Sequence, residues 1–262
     1  MPALPELLQE RERACRLLPS AALQTLDEAE AFLRDRGMLT RLPDCWLPSL
    51  FGACHEEPYK PGSRGFGLWP RTKWPWAFEL AERAGVHVLG IHRGKGLFVT
   101  TDTAALVDPL ARDELARVEE GALGPEPARV VTHLADAGPS LLEDLREELG
   151  IDARRLRPKL ERRGAVVARA VLLEEGNTSE LSRWDQVFPE PTAGGLGDLI
   201  VAGVRAAVVA PEDEAVGWFS WRAPSALLDD LVDDGALVRP EPGWITAGGG
   251  GRHARRPPLP PT

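Results

Sequence analysis

Pro139-Ser-Leu-Leu-Glu-Asp-Leu-Arg-Glu-Glu-Leu-Gly-Ile-Asp-Ala-Arg-Arg-Leu-Arg-Pro-Lys-Leu-Glu-Arg-Arg-Gly164 is the stretch that decides how this chain folds. A proline at 139 suits the first turn of a helix, where its missing N–H has no intrahelical partner to lose. Leu141, Leu142, Leu145 and Leu149 recur on one helical face, and Gly150 stops the helix. Asp152 is placed to cap a further helix that runs to Arg163 and ends at Gly164. Upstream, Val130, Val131, Leu134 and Ala135 belong to an earlier helix closed by Gly138, and downstream Ala165 to Leu173 reads as a strand or hairpin. Three short helices followed by a β-wing is the order of a winged helix-turn-helix unit, here over about 126–175.

The same order recurs to either side. Gly197 to Ala210 is an apolar helix, Trp218 to Trp221 a short extended piece, and Pro224 to Asp234 a helix with Leu227, Leu228 and Leu231 inward. Ala236 to Pro240 and Gly243 to Ala247 then form a hairpin. Nearer the N-terminus, Thr25 with Glu28 is a capping-box pattern, followed by Leu26, Ala29, Phe32 and Leu33 in helical spacing and Gly37 as the stop. Lys73 to Arg83 is expected to be helical, and Val86 to Ile91 with Gly96 to Thr101 gives a hairpin tipped by His92, Arg93, Gly94 and Lys95. The expected fold class is mostly α with small β-wings (α+β), built as three tandem winged helix-turn-helix units. The expected divisions are an N-terminal helical arm (1–20), which either docks or frays, a degenerate winged-helix unit (21–102) and a linking helix (103–124). Winged-helix units over 125–176 and 177–247 follow, then a disordered tail of glycine, arginine and proline (248–262).

At 262 residues the chain has ample material for cores. Its net charge of -9 argues against a generic nucleic-acid coat protein, yet phosphate responds to local field, so a basic patch stays open. Three cysteines, Cys15, Cys45 and Cys54, fit a reducing cytoplasm. Cys45, Cys54 and His55 are the residues a metal would use, but they lack the close C-x-x-C pairing of zinc sites, and neither a metal nor another cofactor is expected. No basic-then-apolar leader or long apolar run occurs, so a cytoplasmic protein without membrane attachment is expected.

The chemistry-bearing feature is the basic helix after Asp152. Arg154, Arg155, Arg157, Lys159, Arg162 and Arg163 crowd it. In winged helix proteins this helix enters the major groove, where arginine bonds guanine edges or phosphates. The competing reading is a solvated face paired with Glu143, Asp144, Glu147 and Glu148. Pro158 falls inside the helix and should kink it or mark its true start. Arg93 and Lys95 at the hairpin tip are second candidates for phosphate contact, against a plain solvated turn. Trp69, Trp74 and Trp76, among Arg64, Arg71 and Lys73, either stack on unpaired bases or, as preferred here, fill a seam between subdomains. The acids Glu212, Asp213, Glu214, Asp229, Asp230, Asp233 and Asp234 read as solvated, and no Ser-His-Asp spacing, phosphate loop or GxGxxG occurs.

The run Thr25-Leu-Asp-Glu-Ala-Glu-Ala-Phe-Leu33, then Gly37 and Pro48-Ser-Leu-Phe51, resembles the AlkZ-related branch of the AlkZ/YcaQ-like DNA glycosylase superfamily. Trp74-Pro-Trp76 with Glu79-Leu80, and Arg93-Gly-Lys95 before a strand, add to the likeness, which runs over about 22–246. The resemblance implies three winged helix units around a concave DNA-binding surface and excision of alkylated or crosslinked bases by a DNA N-glycosylase. It also implies a Gln-x-Gln or Gln-x-Asp pair that places the hydrolytic water. Gln24 is followed by Thr25 and Leu26, and Gln186 by Val187 and Phe188, so neither site carries that pair, and the catalytic residues stay unassigned. The expected partner is double-stranded DNA, damaged or intact, bound by a monomer through Arg154, Arg155, Arg157, Lys159 and Arg162, with Arg93 and Lys95 in support. A non-enzymatic winged-helix transcriptional regulator or a scaffold protein is the alternative.

Overall fold

In a computed structural model, which describes residues 2–173 and 176–249, about half of the chain is helical and three small antiparallel sheets are spaced along it. The first part contains α1 (Leu4–Ala14), α2 (Leu26–Arg36), β1 (Met38–Thr40), α3 (Leu50–Cys54), α4 (Trp76–Glu79), β2 (Val86–His92) and β3 (Lys95–Thr100). A long helix, α5 (Thr101–Glu119), leads to α6 (Pro125–Ala137), β4 (Ser140–Leu141), α7 (Leu142–Leu149), α8 (Ala153–Arg163), β5 (Val166–Leu173), β6 (Gly176–Arg183) and α9 (Trp184–Val187). The last part holds α10 (Leu196–Ala207), β7 (Val209–Pro211), α11 (Glu212–Ala215), α12 (Leu227–Asp233), β8 (Leu237–Val238) and β9 (Trp244–Ala247).

The three sheets share one order: β1-β3-β2, β4-β6-β5 and β7-β9-β8. In each, a two- or three-residue strand pairs with the second strand of a later hairpin, and helices fill the interval. Local chemistry sets the element ends. The Thr25 hydroxyl accepts from the Glu28 N–H at 3.2 Å, and Gly37 closes α2 in the left-handed region at φ 78°. Gly164 closes α8 in the same way at φ 73°, packed against Ala111 and Trp221.

α5 is the strut of the molecule. Its buried face, Ala104, Val107, Ala111, Leu115 and Val118, lies in one continuous core that takes in Met38 and Leu97 of the first sheet, Leu145 and Leu160 of the middle part, and Val204 and Trp218 of the last. Pro109 lies inside this helix and cannot donate to the Ala105 carbonyl, which instead accepts the Thr192 hydroxyl at 2.5 Å. A second core, with Leu33, Leu50, Phe51 and Leu80, underlies the first part.

Several expectations change. The N-terminal helix covers only Leu4–Ala14 and docks rather than frays, with Leu4 and Leu7 against Val209 and the Arg11 guanidinium over the Trp46 ring at 4.1 Å. The helix expected over Lys73–Arg83 shrinks to α4 and a following 3-10 turn, because Pro75 fixes its start. Asp152 makes no side-chain cap. Trp218 to Trp221 is a series of bends rather than a strand. Residues 250–262, expected as a disordered tail, lie outside the described residues. The wing after α8 extends through β6 to Arg183, so the boundary expected between 176 and 177 falls inside a hairpin. Among the described residues no helix is long and apolar enough to cross a membrane.

Candidate nucleic-acid interface

Helix α8 is unbroken from Ala153 to Arg163, with Ala153 and Leu160 buried, Leu156, Arg157 and Glu161 half-buried and Arg154, Arg155, Pro158, Lys159, Arg162 and Arg163 exposed. Pro158 cannot donate to the Arg154 carbonyl, but both residues are exposed, where that group is not forced to stay unsatisfied, and the helix runs on. The six cations on α8 divide into two sets. Arg154 pairs with Glu143 at 2.5 Å, Arg163 pairs with Glu114 at 2.9 Å, and Arg157 pairs with Glu161 at 2.8 Å while donating to the Ser179 hydroxyl at 2.6 Å. Hydrogen bonds from Thr178 and Arg154 hold the Glu143 carboxyl below its ordinary range, whereas burial pushes the Glu161 carboxyl up against the pull of Arg157. Arg155, Lys159 and Arg162 are exposed and have no acidic partner among the described residues. Their spacing of four and then three residues puts them on one face.

The first hairpin adds to this face. Arg93 and Gly94 both hold positive φ, 51° and 76°, the backbone of a two-residue turn that follows the twist of its strands. A Cβ placed on Gly94 would lie 2.6 Å from the Arg162 guanidinium, so the turn and the end of α8 are in contact. Further back, a Cβ on Gly90 would meet the Glu161 side chain at 2.7 Å, so only a glycine there lets β2 lie this close to α8. Arg93 Nε donates to the Gly217 carbonyl at 2.9 Å, and Lys95 pairs with Asp44. Of the seven expected contact residues, then, Arg155, Lys159 and Arg162 have no acidic partner among the described residues. Arg93 is exposed beside them, while Arg154, Arg157 and Lys95 are neutralised.

The tryptophans do not fill a seam between parts of the molecule. Trp69 packs in a tilted arrangement against Phe66 at 4.9 Å and Phe78 at 5.9 Å between ring centroids, and Trp74 lies edge-on to both phenylalanines. Tyr59, Phe66 and Phe78 are exposed at 60 %, 46 % and 42 %, so this is an open aromatic surface carried by the loop before α4 and by α4 itself. Arg41 joins it to α8: its guanidinium lies over Trp69 at 4.7 Å, and burial followed by repulsion from Arg157 lowers its pKa. Sequence reading missed Arg41, Tyr59, Phe66 and Phe78. Their signal was the density of rings between 59 and 78 among basic residues.

The glutamines do not assemble a water-positioning pair. Gln24 Nε2 donates to the Ala22 carbonyl at the surface, and Gln186 accepts from the Arg183 N–H while donating to the Leu134 carbonyl. The acids read as solvated are partly engaged: Glu212 and Asp229 both hold Arg239. Cys54 and His55 do not join Cys45. Cys54 Sγ donates to the Leu50 carbonyl and the His55 ring contacts the Arg16 carbonyl. Cys45 instead meets Asp44 and His92.

No protein-family model matches the chain, and no curated protein matches it either. Its fold is similar to the solved structure of Streptomyces sahachiroi DNA glycosylase AlkZ, with a TM-score of 0.51 and 12 % sequence identity. The match covers 94 % of this chain and 70 % of that one. At this identity the likeness concerns the fold.

Proposed function

We propose that this protein binds double-stranded DNA through three tandem winged helix units and serves in the repair of alkylated or crosslinked DNA. The repeated strand order of the three sheets supports the units, and the fold likeness to a DNA glycosylase supports a repair role. The observation that carries the proposal is the stripe of Arg155, Lys159 and Arg162 on α8. In a chain of net charge -9, with the neighbouring cations each held by an acid, a face of unpaired cations at helical spacing is a place for phosphate. Arg93 on the adjoining turn extends it. The open aromatic surface beyond Arg41 offers stacking faces to a base removed from the duplex. Base excision needs a positioned water as well, and no residue is assigned to that step.

The test compares two sets of charge reversals in duplex-binding titrations at low salt. Arg155→Glu with Lys159→Glu and Arg162→Glu should reduce affinity by at least about 100-fold, since each lost phosphate contact is replaced by repulsion. Arg154→Glu with Arg157→Glu, which alters cations already neutralised, should cost far less. Equal losses from the two sets, or none from the first, would overturn the assignment.

A further inference from the structure

The hairpin that carries Arg93 also carries an unusual histidine. His92 is 1 % exposed, and its Nδ1 lies 2.7 Å from the Trp218 carbonyl, which fixes the proton on that nitrogen. Nε2 is buried and has no hydrogen-bond partner. An unsatisfied lone pair in the interior is costly unless something takes it up. A register shift between Leu89 and His92 turns the histidine inward, so that Ile91 and His92 are buried in succession where a regular strand would alternate. Against it lies the loop after β1. One ring nitrogen of His92, Cys45 Sγ and an Asp44 carboxylate oxygen all lie within 4.8 Å of one another.

We infer that Asp44, Cys45 and His92 bind a divalent transition-metal ion of the zinc class. The donor set is one thiolate, one imidazole and one carboxylate, which suits a borderline-soft cation and disfavours magnesium or calcium. His92 Nε2 supplies the imidazole donor, and the Nδ1–H bond to a backbone carbonyl is the support that orients metal-binding histidines. The surroundings are built to hold these residues in place. Glu214 accepts from the Trp46 N–H at 2.9 Å and from the Trp218 indole at 3.3 Å, tying the Cys45 loop to the segment that holds His92. Ser220 binds the Ile91 carbonyl through both its N–H and its hydroxyl. Binding displaces the Cys45 thiol proton to solvent and forms a metal–thiolate bond, with no change of oxidation state. Three protein donors leave a tetrahedral ion one position for water. The ion also takes over from Lys95 as counter-charge to Asp44, which frees an ammonium next to Arg93. The metal thus fastens together the loop after β1, the first hairpin and the segment before α12.

The test uses the full chain, stripped with a chelator and titrated with Co2+, followed by Zn2+. One Co2+ per chain should bind, with the near-ultraviolet charge-transfer absorption of a thiolate ligand and the visible bands of a tetrahedral ion, and Zn2+ should abolish both. Cys45→Ser should remove the thiolate absorption and weaken Zn2+ binding by more than about 100-fold, beyond the cost of losing a supporting partner. Cys54→Ser and His55→Ala should leave both unchanged. His92→Gln should also weaken binding. Because that residue is buried, Cys45→Ser, at a half-exposed position, stands as the decisive variant, with circular dichroism to show that it folds. The absence of saturable binding, or a thiolate band that survives Cys45→Ser, would overturn the inference.

Discussion

Arg93 holds a left-handed backbone that costs a non-glycine residue about 1 kcal/mol. Glycine or asparagine would form the same turn more readily. What offsets the strain is the bond from Arg93 Nε to the Gly217 carbonyl, 124 positions away in the chain, worth about 1 kcal/mol. The two terms nearly cancel, so Arg93→Gly should leave unfolding free energy within about 0.5 kcal/mol of the parent. It should still weaken duplex binding, because the guanidinium beside Arg162 is gone. Denaturant unfolding and a binding titration on the same variant check both halves, and a large loss of stability would mean that the arginine serves the fold. The tip was legible in the sequence as a basic turn. Its tether was not, because no local pattern reveals a contact with a segment so far along the chain. The sorting of cations on α8 was legible only in part: Glu143, 11 positions from Arg154, was among the acids expected to pair with this helix, whereas Ser179 and Glu114, 22 and 49 positions from their arginine partners, were not.

At the scale of elements, α8 and the body and end of α7 were readable because apolar spacing and glycine stops act locally, but Pro139 does not open α7: Ser140 and Leu141 pair as β4 and the helix starts at Leu142. β6 was not readable. Gly176-Asn-Thr-Ser-Glu-Leu-Ser-Arg183 is too polar to announce a strand, and it becomes one by pairing along its whole length with β5 and, near its end, with β4. Helix α5 was expected as a link between units, but its buried carboxylate was not foreseen. Asp108 accepts the Trp184 indole at 2.7 Å, the Thr192 N–H at 2.9 Å and Arg112 Nε at 2.9 Å, next to the Pro109 break. Asp108→Ala would strand a fully buried indole donor and a backbone N–H together. We expect a loss of about 3 kcal/mol or more, read as an earlier denaturant midpoint with little change in slope. A change below about 1 kcal/mol would show that α5 does not depend on this anchor.

For the whole molecule, the core along α5 is continuous through residues of all three sheet-bearing parts rather than divided among them. That matters for binding, since α8, the first hairpin and the aromatic surface come from different parts of the chain and act together only if their spacing is fixed. Net charge is a poor guide here. The acids that make the chain negative are in part the ones that neutralise Arg154, Arg157, Arg163 and Arg239, while on α8 Arg155, Lys159 and Arg162 share one face with no acidic partner among the described residues. The most direct measurement is the affinity of the protein for undamaged duplex DNA as a function of salt. Three phosphate contacts through Arg155, Lys159 and Arg162 predict a log–log slope of about -2.7 or steeper. An affinity that does not respond to salt at low ionic strength would contradict the account.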